Sequence, residues 1–194
     1  MDPPQKKRKQ RGKMDPQIGE AVSHVVEFVN EVDDPGVTEV NRLILQATTT
    51  DSILVFSFEE VLLDARGMVP EQLCKMLSAL NNLGFELVGI SKCTQEKFYS
   101  KFPMTVNGIR HVRTRNPQET FLELYQDWTA KSVVLFGGEN LVPSVIENKR
   151  QGDVFMEVGR NNDRADGNLS YLEEMLAMVL VVKAGQSITS LLDV

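Results

Sequence analysis

The chain is predicted to be an α/β protein, a Rossmann-like three-layer sandwich with a mainly parallel sheet and helices on both faces, preceded by a helical hairpin. Three observations carry that expectation. Short, nearly continuous apolar runs near residues 52–57, 85–90 and 132–136 have the length and lack of alternation of strands buried on both faces. Longer amphipathic stretches separate these runs, as crossover connections between parallel strands require. Each run also gives way to small or polar residues at its carboxyl end, the edge where open α/β sheets build their sites.

In chain order, the first segment is set apart by charge. Residues 1–14 hold Lys6, Lys7, Arg8, Lys9, Arg11 and Lys13 against a single acid, Asp2. Removing these from the 21 basic and 27 acidic residues of the whole chain leaves 15 and 26, a net charge of −11. A dense basic run beside Pro3 and Pro4 has no apolar surface to bury, so a disordered tail is expected, serving as a nuclear address that meets an import receptor. An acidic body argues against broad nucleic-acid binding by the fold, because phosphate neutralisation dominates that affinity; nucleic acid is expected to meet the tail at most. No apolar run approaches the roughly 20 residues of a membrane span, so no membrane partner is expected, and no secretory leader is read.

Residues 15–50 form the expected helical extension. Val22, Val25, Val26, Val29 and Val32 recur at helical spacing, Asp33-Asp34-Pro35-Gly36 interrupts them, and a second helix is expected over 38–47. This hairpin is a candidate surface for a protein partner or for a second copy of the chain. His24 has no companion ligand and reads as structural.

The α/β domain is expected over 51–194, organised around Ser52–Asp64, a buried strand delivering Ser57 and Glu59 at its carboxyl end. A helix over 70–83 follows, with Leu73, Met76, Leu77 and Leu80 on one face and Gly84 just beyond its end. The strand at 85–90 runs into Ser91-Lys92-Cys93-Thr94, which brings a second polar end to the same edge. Further expected elements are a helix over 95–101, a short strand at 109–112, a helix over 117–128, the strand at 132–136 ending in Gly137-Gly138-Glu139, a helix over 143–150 and a strand at 153–158. A last helix is expected from Ser170 to about Val182, opened by the capping pair Ser170 and Glu173. Cys74 and Cys93 lack any ligand-like spacing and read as free thiols; His111 and Trp128 read as packing or surface residues.

Within this framework the motifs resemble the haloacid dehalogenase superfamily, and most of all its trehalose-phosphate phosphatases without their cap domain. Phe56-Ser57-Phe58-Glu59-Glu60-Val61-Leu62-Leu63-Asp64 follows the outline of the family's Asp-x-Asp-Gly-Thr/Val strand end. Leu83-Gly84 leading to Ile90-Ser91 is similar to its second motif, and Val133–Glu139 to the later strand ending in Gly-Asp-Asp. The likeness covers roughly residues 51–182.

That resemblance implies an aspartate nucleophile bound to magnesium, an acid-base aspartate two residues later, a lysine and further metal carboxylates. Here Ser57 stands at the nucleophile position, and Glu59, one methylene longer, at the acid-base position. Glu60 replaces a glycine, no lysine occurs around Asn116-Pro117-Gln118, and Gly138 replaces the first metal aspartate, with Glu139 as its remnant. The segment between Lys101 and Ile109 is too short for a cap domain. An alternative alignment gives the metal to Asp163 and Asp166. The departures predict no catalytic residues, no metal and no cofactor, and a pseudoenzyme that acts as a nuclear protein-interaction scaffold. The alternative is a divergent, magnesium-dependent phosphatase or a sensor that binds a phosphate ester, with Lys92 beside Ser91 holding the anion.

Overall fold

The computed structural model of the chain describes residues 51–158 and 171–192. The basic residues 6–13, the expected helices over 19–47 with His24, the loop holding Asp163 and Asp166, the capping Ser170 and the last two residues lie outside the described part. The described residues form a five-stranded, all-parallel sheet in the order β3-β2-β1-β4-β5. Its strands are β1 (Ser52–Ser57), β2 (Glu86–Ser91), β3 (Ile109–Arg113), β4 (Ser132–Gly137) and β5 (Val154–Glu157). The Rossmann-like α/β architecture expected from the alternation of strands and helices is thereby observed.

β1 is central because it is apolar on both faces. Ile53 and Val55 point into one core layer and Leu54 and Phe56 into the other, and all four are fully buried. On the Leu54 and Phe56 side lie α1 (Glu71–Asn82), α2 (Gln95–Ser100) and α5 (Tyr171–Leu192), packed through Leu73, Leu77, Phe98, Leu176 and Leu180. On the other side lie α3 (Pro117–Asp127) and the short α4 (Val142–Val145), which contribute Phe121, Tyr125, Val142 and Val145. Burial of each such side chain contributes on the order of 1.5–3 kcal/mol, so the two apolar layers on a common sheet hold the sandwich together.

Local signals set the ends of the helices. Gly84, at φ +98°, lets the chain leave α1 in a left-handed turn, and the Phe85 amide reaches back to the Leu80 carbonyl. Thr94 caps α2 by accepting from the Lys97 amide, and Asn116 caps α3 by accepting from the Glu119 amide. The segment 102–108 between α2 and β3 is a loop.

Two expectations are corrected. The helix expected over 143–150 is one α-helical turn followed by a 3-10 turn over Ile146–Asn148, where the β-branched Val145 and Ile146 give the sequence little helical preference. The last helix runs to Leu192 instead of stopping near Val182, since beyond the apolar run no proline breaks it and Gly185, its weakest position, costs only about 1 kcal/mol. Among the described residues, no helix is long and apolar enough to cross a membrane.

Candidate functional site: a carboxylate-filled cleft at the sheet's carboxyl edge

The strand order reverses direction on either side of β1. β2 and β3 extend the sheet to one side and β4 and β5 to the other, so a crevice opens at the carboxyl ends of the central strands. A cleft of about 350 Å³ occupies that position. Ser57 reaches it from the end of β1, Ile90 and Lys92 from the end of β2, Asn116 and Gln118 from the start of α3, and Asn140 from the turn after β4. After Ser57 the chain does not enter an ordinary helix. It makes a single π turn over Phe58–Leu62, with Phe58, Val61 and Leu62 driven into the core. Burying those three side chains turns the intervening Glu59 and Glu60 back over the strand ends.

The two carboxylates part in opposite directions. Glu59 Oε1 accepts from the Ser91 hydroxyl at 2.7 Å and from the Lys92 amide at 2.7 Å, spanning β1 to β2. Ser91 in turn accepts from the Cys93 amide at 2.9 Å, which fixes its hydroxyl proton toward Glu59. Glu60 Oε2 accepts from the Gly138 amide at 2.8 Å, spanning β1 to β4, and from the Ser57 hydroxyl at 3.3 Å. Charge-assisted bonds of this kind are about twice as strong as neutral ones.

Gly138 is shaped to this arrangement. A Cβ placed there would stand 2.4 Å from Glu60 Oε2 and 2.8 Å from its Cδ, so only a residue without a side chain lets the carboxylate dock on the amide. The other polar groups around the cleft serve the fold. Asn116 caps α3, and Gln118 donates to the Ser144 carbonyl at 3.3 Å. The Lys92 ammonium, exposed at the rim, makes no ion pair among the described residues. Two carboxylates against one ammonium leave the cleft net negative.

Of the residues singled out from the sequence, Ser57, Glu59 and Ser91 converge as expected at one sheet edge. Glu139 does not join them: it is exposed, and the carboxylate that stands against the end of β4 belongs to Glu60. Among the described residues no group of three or more His, Cys, Asp or Glu side chains gathers as a metal site would require. Cys74 and Cys93 are free thiols, and burial pushes the Cys74 thiol up to about 11. His111 packs its ring 4.5 Å from that of Phe98, and loss of solvent is the main cause holding its imidazole below the ordinary value.

Sequence reasoning missed the opposed hydrogen bonding of Glu59 and Glu60. It also missed a buried network on the far side of the sheet. There Asp153 accepts from the Tyr125 hydroxyl and, at 2.9 Å, from the Val133 amide, while Arg150 lies 4.1 Å over the Tyr125 ring. Comparison of the chain with protein-family models, curated proteins and solved structures returns no match.

Proposed function

We propose that the α/β domain is a non-catalytic relative of the haloacid dehalogenase type, kept as a protein-interaction scaffold and carried to the nucleus by its basic tail. The observation that carries this reading is that donors at the strand ends beside the cleft are already engaged by the protein's own carboxylates. The Ser91 hydroxyl and the Lys92 and Gly138 amides are the donors that converge at the strand ends, and Glu59 and Glu60 hold all three. An incoming anion would have to displace a carboxylate and then sit beside it, at a cost that Lys92 alone does not offset. Ser57 is also poorly placed as a nucleophile. Its nearest base is Glu60 at 3.3 Å, and that same oxygen is already engaged by the Gly138 amide.

Relative to the resembled pattern, carboxylate and glycine have exchanged places. Glu60 stands where that pattern has glycine, Gly138 stands where it has a metal aspartate, and the two touch across the cleft. Such a paired exchange supports a site rebuilt for packing. The basic residues Lys6, Lys7, Arg8, Lys9, Arg11 and Lys13 support the nuclear address by composition alone.

Assay of the purified chain with magnesium against a panel of phosphate esters is expected to give no turnover that depends on Ser57. Hydrolysis abolished by Ser57→Ala would overturn the reading and establish the divergent phosphatase instead. The cleft volume and the Lys92 ammonium favour one second reading, a phosphate-ester sensor. It requires a thermal shift with sugar phosphates, about 2.7 kcal/mol of stabilisation at 100 times the dissociation constant.

A further inference from the structure

The net charge of the body conceals a second asymmetry, inside the folded domain. Between Lys92 and Arg115 the chain carries Lys92, Lys97, Lys101, Arg110, Arg113 and Arg115 against the single acid Glu96, a net charge of +5. Residues 15–194 outside that stretch therefore sum to −16. The fold sets these cations around the β3 end of the sheet without gathering them on one face: Arg110 and Arg113, three apart on β3, project from opposite faces, and the Lys101 carbonyl accepts from the Val69 amide. Arg113 pairs in register with Ser91, which places it beside Lys92, and Arg115 follows two residues on. Lys97 rides on α2 and Lys101 follows its end; α2 is pinned to β3 by the Phe98–His111 ring contact and by the Tyr99 hydroxyl donating to the Ile109 carbonyl at 3.1 Å. Five of the six are exposed, Lys101 is half-buried, and among the described residues none makes an ion pair.

The same end presents an open edge. β3 pairs with β2, and among the described residues no strand pairs with its outer side; the Ile109 carbonyl there is taken by the Tyr99 hydroxyl, which leaves the His111 and Arg113 positions to meet another strand. Two of the few exposed large apolar side chains, Tyr99 and Met104, belong to this stretch as well, 41% and 37% accessible.

We infer that the outer edge of β3 is a docking site for an extended acidic segment of a partner protein, added to the sheet as a sixth strand. The backbone edge supplies ladder hydrogen bonds, Arg110 takes the acidic side chains on one face of the added strand, and Tyr99, packed with His111 on the other face, meets its apolar ones. A second copy of the chain is a poor occupant, because it would bring two copies of the same +5 stretch together. Charges on an edge strand also discourage aggregation, which accounts for Arg110 and Arg113 but not for Lys92, Lys97 and Lys101, which stand off the ladder. A nucleic acid would use the cations and leave the strand edge unused. The acidic remainder of the body does not cancel the patch, since at physiological salt charges are screened beyond about 8 Å. The inference is independent of whether the cleft turns anything over.

The test uses the full chain and a labelled peptide of alternating Glu and Val, followed by fluorescence anisotropy, with amide hydrogen exchange read across β3. The peptide is expected to bind, to slow exchange of the β3 amides that β2 does not engage, and to bind R110E/R113E roughly tenfold more weakly. The basic tail is present in both proteins and cancels from that comparison. A control peptide with proline in place of each valine and N-methylated glutamates keeps the charge but has no backbone donor on either edge, and is expected to give no β3 protection. Equal protection by both peptides, unchanged affinity of R110E/R113E, no binding of the alternating peptide, or β3 amides already protected without it would each overturn the inference. Binding of oligouridylate in place of the peptide, lost in R110E/R113E, would overturn it in favour of a nucleic-acid surface. Should R110E/R113E fail to fold, the proline control and the exchange pattern of the unaltered chain still decide.

Discussion

Gly138→Ala tests whether the cleft is built around the carboxylate of Glu60. The added Cβ meets Glu60 Oε2 at 2.4 Å and Cδ at 2.8 Å, so the carboxylate must swing away. It then loses the charge-assisted bond from the Gly138 amide and the longer bond from Ser57, 2.8 and 3.3 Å in the native arrangement. The first is worth roughly 1.5–3 kcal/mol and the second about 0.5 kcal/mol, with the lower figures apt for a half-buried glutamate that water reaches. Against this, Gly138 is not among the positive-φ glycines, so alanine fits the backbone and restricts the unfolded chain, returning about 0.4–1 kcal/mol. The net expected cost is about 1–2 kcal/mol.

In a Glu60→Gly background Oε2, Cδ and the Cβ that would stand 3.2 Å away are all gone, and the same substitution is expected to stabilise by about 0.4–1 kcal/mol. The sign of the effect therefore reverses between backgrounds, a coupling of about 2 kcal/mol, well above the few tenths expected of independent sites. Urea unfolding of the four proteins followed by far-UV circular dichroism measures it. Equal costs of Gly138→Ala in the two backgrounds would refute the claim that Gly138 exists to admit Glu60.

Two further outcomes follow from the core. Gly89 lies in the middle of β2, and a Cβ there would stand 2.8 Å from Phe98 Cζ, a fully buried ring with no room to retreat, so Gly89→Ala is expected to cost about 1–3 kcal/mol in urea unfolding, unlike Gly185→Ala, whose Cβ meets nothing within 4 Å in a helix. Burial raises the Cys74 thiol from 9.0 to about 11, so its contribution to stability is fully present below pH 9 and is lost as pH rises toward 11, where the unfolded chain ionises first; thermal unfolding across that window is expected to show a decline that Cys74→Ala removes.

The architecture was legible because periodicity and burial are local properties of the chain. Ile53–Phe56 is apolar at every position, and only a strand covered on both faces places four such residues in a core. Thr94 and Asn116 announce the helices they cap, and Gly84 the end of α1. The convergence of Ser57 and Ser91 followed from parallel strands ending together. The direction taken by Glu59 and Glu60 did not, because it depends on a π turn whose geometry is set by three apolar neighbours sinking into the core, and no rule of spacing distinguishes that turn from the start of an α-helix. One signal was available: a glycine immediately after a strand-ending glycine, facing a pair of glutamates just past the end of the neighbouring strand, marks a close approach. Gly89 inside β2 carried the same message about Phe98. The Tyr125–Asp153 bond, between residues 28 positions apart in sequence, left no local trace.

The charge pattern shows why averaging over a chain loses function. A body of −11 reads as repelling every polyanion, yet that sum combines a +5 stretch with the acidic remainder, and the fold sets the two kinds of charge on different elements. At the centre of the sheet, carboxylates close the cleft by binding its own donors. At the edge, among the described residues, cations without ion pairs stand by β3, whose only strand partner there is β2. A side chain already engaged by its own backbone is spent on stability. One that is solvated, crowded among like charges and beside an open ladder raises the energy of the free protein, and a partner that neutralises it recovers that energy. Function is therefore to be sought at the β3 edge sooner than in the cleft.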